Sequence, residues 1–229
     1  MAWRKPGILR KLKVTLLPSG LRPRSILTGP FKGIRMEMDL QTESQIYAGL
    51  FERELYPAIR RLSKDVRTVV DIGAAHGEYT LYALLKTSAE RVISIEPDPA
   101  MVEKLHHNLK LNALNQNRRL ELYEKYIGAI DGANLVAADR LADWIQPPCF
   151  LKMDIEGGEA AVLRASAQRL LLVPELRWLI ETHSQPLRKE CESILASCGY
   201  TTTYIPQAWW RALIPELRGT QVGWLVATR

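Results

Sequence analysis

With 229 residues, the chain is long enough for one domain that buries roughly 70–75% of its extended surface and needs neither disulfides nor a structural metal. Apolar residues at 47% and charged residues at 24% are ordinary globular proportions, which excludes disorder, collagen-like repeats and low-complexity tracts. The net charge of +6 is unevenly placed: residues 1–40 hold nine Lys/Arg against Glu37 and Asp39, leaving 22 basic and 23 acidic residues over 41–229.

The chain therefore divides into a basic N-terminal arm, 1–40, and a single domain, 41–229. The arm sets Ile8, Leu9, Leu12, Leu16 and Leu17 among Arg and Lys, with several Pro and Gly breaks. Such a segment suits an anionic membrane surface or nucleic acid; the plainer reading is a solvated extension that packs its apolar residues on the domain. No apolar run reaches the roughly 18 residues that span a bilayer, and no apolar leader with a small-residue cleavage site opens the chain. Cys149, Cys191 and Cys198 form no CxxC pair and leave an odd count, so a reducing cytosol is the expected location, with peripheral membrane contact through the arm as its variant. The pattern fixes no oligomeric state.

Over 42–64 the apolar positions Ile46, Leu50, Leu55, Ile59 and Leu62 fall at helical spacing behind Thr42 and Ser44 as N-cap candidates, which predicts a helix leading into the domain. Strands and helices then alternate: strand 68–72, helix 78–85, strand 91–96, and a helix to about 113 with Asp98 as N-cap and Pro99 at its first position. Further strands are predicted at 120–124, 150–154 and 178–182, with helices at 159–170 and 187–198. Alternation of this kind forces parallel pairing and covers both sheet faces. The class is α/β, a doubly wound, mostly parallel seven-stranded sheet. Two final β-rich runs, 200–205 and 222–228, are expected to pair antiparallel at one end of it, with loop 206–221 on the side where the parallel strands end.

Ligands of open α/β sheets bind outside the carboxyl ends of the strands. After the first parallel strand, Asp71-Ile72-Gly73-Ala74-Ala75-His76-Gly77 offers a tight glycine turn before a helix. The second strand ends in Glu96-Pro97-Asp98, with Glu96 23 positions beyond Gly73, close to the offset of about 20 at which an acid meets ribose hydroxyls. The turn reads G-x-x-x-G, not G-x-G-x-x-G, and an acid precedes it. That favours S-adenosylmethionine, a cation without phosphate, over NAD. In Lys152-Met153-Asp154-Ile155-Glu156-Gly157-Gly158-Glu159 the alternation sends Lys152, Asp154 and Glu156 to one face of a strand expected to be buried, where ionised groups are costly unless paired or functional.

These segments resemble the FkbM-type class I methyltransferases: Asp71-Ile72-Gly73-Ala74 with Gly77 and Thr80, Glu96-Pro97-Asp98-Pro99, Asn108 with Leu111-Asn112, and Lys152-x-Asp154-x-Glu156-Gly157-x-Glu159. The likeness runs from about Gly29 to the C-terminus. It implies that Asp71, Gly73, Ala74 and Gly77 line the methyl donor, that Glu96 and Pro97 bind its ribose, and that Ile127-Gly128-Ala129 passes its adenine. Family activities are methyl transfers to hydroxyls of sugars or natural products, some to peptide amides. His76 stands where the family often has Asn.

Methyl transfer is a one-step in-line displacement, so catalysis rests on holding acceptor and methyl carbon at about 3 Å, and a hydroxyl acceptor needs a base. The candidates at the correct edge are Asp154, Glu156, Glu181 and His183; Asp154 or His183 is the expected base, and Lys152 holds the charge of the acid strand in place. His106 and His107, on a helix face, are expected to be structural. The group Asp154, Glu156, Glu181 and His183 could also hold Mg²⁺, although pairing with Lys152 accounts for the same residues without a metal. Trp209-Trp210-Arg211, in the loop at this edge, are candidates with Glu181 to contact a small-molecule or glycan acceptor. Three other activities compete: N-methylation of a peptide amide, RNA methylation through the basic arm, and an NAD-linked oxidoreductase. The last should show a tighter glycine fingerprint and a residue paired for hydride chemistry, and neither is present.

Overall fold

The computed structural model describes residues 15–208 and 223–229. Two short strands, β1 (Arg22–Ser25) and β2 (Arg35–Met38), pair antiparallel before helix α1 (Leu40–Ala48). Helix α2 (Tyr56–Leu62) follows, then β3 (Thr68–Ile72), α3 (Glu78–Lys86), β4 (Arg91–Ile95), α4 (Pro99–Leu111) and β5 (Leu120–Tyr123). A second small pair, β6 (Tyr126–Gly128) and β7 (Leu135–Ala137), and the single-turn helix α5 (Leu141–Trp144) precede β8 (Cys149–Met153). The chain continues with α6 (Glu159–Ala165), β9 (Leu176–Thr182), α7 (Gln185–Ser197), β10 (Thr201–Pro206) and β11 (Gly223–Thr228).

The central sheet has seven strands in the order β10-β11-β9-β8-β3-β4-β5. The pairs β9–β8, β8–β3, β3–β4 and β4–β5 are parallel; β11 lies antiparallel to both β9 and β10. Each parallel strand except the edge strand β5 is nearly continuous in apolar residues because both of its faces are covered. One face packs Val69, Phe150, Leu179 and Trp224 against α2, α3 and the β1–β2 hairpin; the other packs Val70, Leu151, Trp178 and Leu225 against α6 and α7. Burying a side chain as large as Trp178 contributes roughly 1.5–3 kcal/mol or more. Cys149 and Cys191 belong to the second face, and burial pushes both thiols up to about 12, whereas Cys198 is only half-buried.

The structure departs from four sequence expectations. The single helix over 42–64 is broken: Gly49 closes α1 in the left-handed region, Glu52 is left-handed as well, and a 3-10 turn at Arg53–Leu55 leads into α2. The N-cap is Asp39, whose side chain accepts the Gln41 N–H at 2.9 Å, not Thr42 or Ser44. The arm does not extend to residue 40, because Ile26, Phe31, Ile34, Met36 and Met38 are core residues at 2% exposure or less. Alternation within β2 gives one buried face, Met36 and Met38, in a segment whose composition is basic. The helix expected over 159–170 stops at Ala165, and a 3-10 turn at Leu170–Leu172 carries the chain to β9.

Candidate active site

A cavity of about 580 Å³ opens at the carboxyl ends of β3, β4 and β8. Its floor is the turn after β3. Gly73 and Ala74 both donate their N–H groups to the Ile95 carbonyl, at 2.9 and 3.1 Å, and Asp154 N–H bonds the Ile72 carbonyl at 3.0 Å, so the turn is stapled to both neighbouring strands. Gly73 has φ 75°, and a Cβ there would lie 1.8 Å from the Asp154 carbonyl oxygen; no other residue fits. The turn ends at Gly77, φ 92°, the N-cap of α3.

Glu96, 7% exposed, forms one wall. Its Oε2 accepts the Ala75 N–H at 2.7 Å and its Oε1 the Asp98 N–H at 2.9 Å. Two backbone donors fix the carboxylate, and each oxygen keeps a lone pair for a further hydroxyl. Gly73, Pro97, Lys125, Tyr126 and Ile127 complete this side, and Asp154 and Glu156 line the far one. The cavity takes some of the expected residues and not others. Asp71, Ala74 and Gly77 lie behind the turn and not on the cavity; Gly128 and Ala129 are also outside its lining, which takes Lys125, Tyr126 and Ile127 from that stretch. Parallel pairing explains Asp71: its side chain points to the face shared with Lys152, its partner in register on β8.

That face carries a buried charged network. Asp71 is fully buried, accepts from Thr80 Oγ1 at 2.8 Å, and lies 3.7 Å from Lys152 Nζ. Burial holds the Asp71 carboxyl above its usual range, with Lys152 pulling the other way. Lys152 Nζ donates to the Gly73 carbonyl at 2.9 Å and sits 3.8 Å from Asp154 Oδ2. Burial disfavours its ammonium, but Asp154 and Asp71 outweigh that and raise its pKa. One cation thus ties the donor turn to the acid at the end of β8. The strand ends at Met153, so the predicted alternation through Glu156 does not hold. Glu156 is exposed in a left-handed turn, φ 53°, and is not stacked with Lys152.

His183, just past β9, brings the two strand ends together. Its Nε2 lies 3.4 Å from Asp154 Oδ1 and 3.3 Å from Glu159 Oε1. The carboxylates of Asp154 and then Glu159 hold its pKa up to about 10. The two carboxylates favour the protonated form of His183, a donor, and Asp154, which faces the cavity, is the other expected base candidate. Asp154, Glu181 and His183 offer ligand atoms within 4.8 Å of one another, a spacing that could hold a divalent cation; Glu156 is outside that group. His106 and His107 lie away from the crevice, and His107 faces Glu37 at 3.7 Å. Trp209, Trp210 and Arg211 fall outside the described residues.

Sequence reasoning gave no role to Glu159, Glu52 or Tyr79. Glu159 is fully buried, and its carboxylate accepts the Gly157 N–H at 3.0 Å, holding the turn after β8 against His183. Glu52 accepts from Tyr79 Oη at 2.7 Å. The acid at the first position of α6 was a visible signal; Glu52 offered none, because its burial follows from the break between α1 and α2. His76 is held neutral, its pKa lowered to about 4 by burial and then by Lys104 and Lys152.

A parallel sheet with this turn and this acid defines the class: an S-adenosylmethionine-dependent methyltransferase of class I. The model of the TRM5/TYW2 methyltransferase domain matches residues 31–136, a little under half of the chain, including the turn and Glu96. No curated protein matches the sequence. Among solved structures, the methyltransferase FkbM from Methylobacillus flagellatus KT superposes with a TM-score of 0.52 at 20% identity, covering 82% of this chain and 54% of that one. The precorrin-8w decarboxylase of Methanobacterium thermoautotrophicum gives 0.50 at 19% identity over 76% and 88%. An O-methyltransferase from Bacillus cereus, in complex with SAH, gives 0.50 at 13% over 76% and 78%. At these identities the likeness is one of fold. The donor fits the residues present: Glu96 keeps acceptors for a pair of hydroxyls, Ile95, Met101 and Ile127 offer apolar walls, and no glycine cradle for a pyrophosphate is built.

Proposed function

We propose that this chain is an FkbM-type enzyme that methylates a hydroxyl of a sugar, glycan or natural-product acceptor. The observation that carries the reading is Asp154, a carboxylate 24% exposed that lines the donor cavity while facing two cations, Lys152 and His183. S-adenosylmethionine, when bound, supplies an electrophilic methyl group on a sulfonium. Glu96 and the Gly73 turn hold the donor, and Asp154 is the group placed to accept the hydroxyl proton. Lys152 and His183 fix the Asp154 carboxylate by its two oxygens, so that its orientation is set before the acceptor arrives. Glu181 and the segment carrying Trp209, Trp210 and Arg211 are the proposed acceptor contacts. Asp154 and Glu181 would be the ligands of any Mg²⁺, joined by His183 only in its neutral form, and the Lys152 pairing supports a metal-free reading. The TRM5/TYW2 match covers the donor half, so it does not favour RNA over a small acceptor. The test is mass spectrometry of hydroxyl-bearing acceptors after incubation with isotopically labelled donor. A label found on oxygen supports the reading; a label only on peptide nitrogen or on RNA overturns it.

A further inference from the structure

Of the large hydrophobic side chains exposed among the described residues, Leu16, Leu21 and Leu27 fall within one short stretch around β1, at 70%, 53% and 49% exposure. The hairpin that carries this stretch is basic: residues 15–36 contain Arg22, Arg24, Lys32 and Arg35 and no acid. Arg22, Lys32 and Arg35 are exposed beside these leucines in sequence and on the hairpin. The hairpin has already filled its share of the core with Ile26, Phe31, Ile34 and Met36, and among the described residues β1 pairs only with β2. The leucines are thus left outside a completed core and not waiting for a place in it.

We propose that this surface docks on an anionic lipid bilayer. Charge complementarity selects an anionic partner, and the leucines choose between anionic partners. Nucleic acid would engage the cations through phosphates and leave the leucines in water. A bilayer uses both, the headgroups meeting Arg and Lys and the acyl boundary receiving the leucines. The contact is peripheral, since no helix among the described residues is long and apolar enough to cross a membrane.

Docking there also sets the posture of the donor crevice. Arg35 N–H bonds Asn112 Oδ1 at 3.0 Å and Glu37 N–H bonds Asn108 Oδ1 at 2.9 Å, which fastens β2 to α4. Asn108 Nδ2 in turn donates to the His76 carbonyl in the donor turn at 2.9 Å. The surface and the turn are thereby held through one helix, so a docked hairpin fixes how the crevice faces the lipid.

The test is co-sedimentation of the full chain with phosphatidylcholine vesicles and with phosphatidylcholine–phosphatidylglycerol vesicles, at low and high salt. Partitioning is expected to be at least about tenfold stronger on the anionic vesicles and to fall with salt. Leu16→Ser, Leu21→Ser and Leu27→Ser together should weaken it about tenfold. Arg22→Glu, Lys32→Glu and Arg35→Glu together should weaken it about a hundredfold, since each basic residue near an anionic leaflet contributes about fivefold. Calorimetric affinity for S-adenosylhomocysteine, unchanged in both variants, verifies the fold. No sedimentation, equal partitioning on neutral vesicles, or binding that ignores the leucine changes and is displaced by an RNA homopolymer would each overturn the proposal.

Discussion

At the ends of β3 and β4 the crevice is made largely of backbone: a turn closed by main-chain hydrogen bonds to Ile95 and a Glu96 carboxylate clamped by two N–H groups. At the ends of β8 and β9 the site is made of charged side chains, where Asp154 and His183 are held by ion pairs with Lys152, Glu159 and each other. A donor that never changes can be met by fixed main-chain geometry. In the proposed reading the acceptor, which differs between enzymes, is met by side chains, which substitution can alter without refolding the sheet.

The contrast can be broken from either side. Gly73→Ala should have the largest effect, because the added Cβ meets the Asp154 carbonyl oxygen at 1.8 Å; calorimetry should detect no binding of S-adenosylhomocysteine, and urea midpoints should fall. Asp154→Asn should lower the methyl-transfer rate by about 10²–10⁴ while donor affinity changes by less than about tenfold. Comparable losses in both would erase the division between the two halves. Glu96→Gln removes a charged acceptor and should weaken donor binding by about 10- to 150-fold, the range for a hydrogen bond to a charged group, with the rate at saturating donor nearly kept.

The smallest effect concerns pH. His183 has its folded pKa raised to about 10, above about 6.5 when unfolded. Its stabilising contribution is therefore complete below about pH 6.5 and lost as pH rises through about 10. Urea unfolding across that window should show a decline that His183→Gln removes. A decline that persists in the variant would assign it to other groups.

Much of the central sheet was legible because periodicity and glycine turns report local rules: every parallel strand of that sheet stands within two residues of its predicted bounds, whereas the small parallel pair β6–β7 was not predicted. Glu96 was legible for the same reason, since its offset from Gly73 is set by one βαβ unit. The β1–β2 hairpin was not, because a basic composition masked the alternation of Met36 and Met38. The pairing of Asp71 was not legible for a different reason. Which face of a strand a carboxylate takes depends on its neighbour in register, here Lys152, and that partner lies far along the chain. His183 illustrates the same limit, for its charge state is decided by Asp154 and Glu159, which only tertiary folding brings near it.

The three thiols provide an intrinsic clock for opening of the native state. Cys198 should react with an alkylating reagent at once, Cys191 only when α7 lifts from the sheet, and Cys149 only when β8 itself is exposed. The order in which mass increments accumulate would then tell whether the helical flank detaches before the strands part, without any cysteine being added.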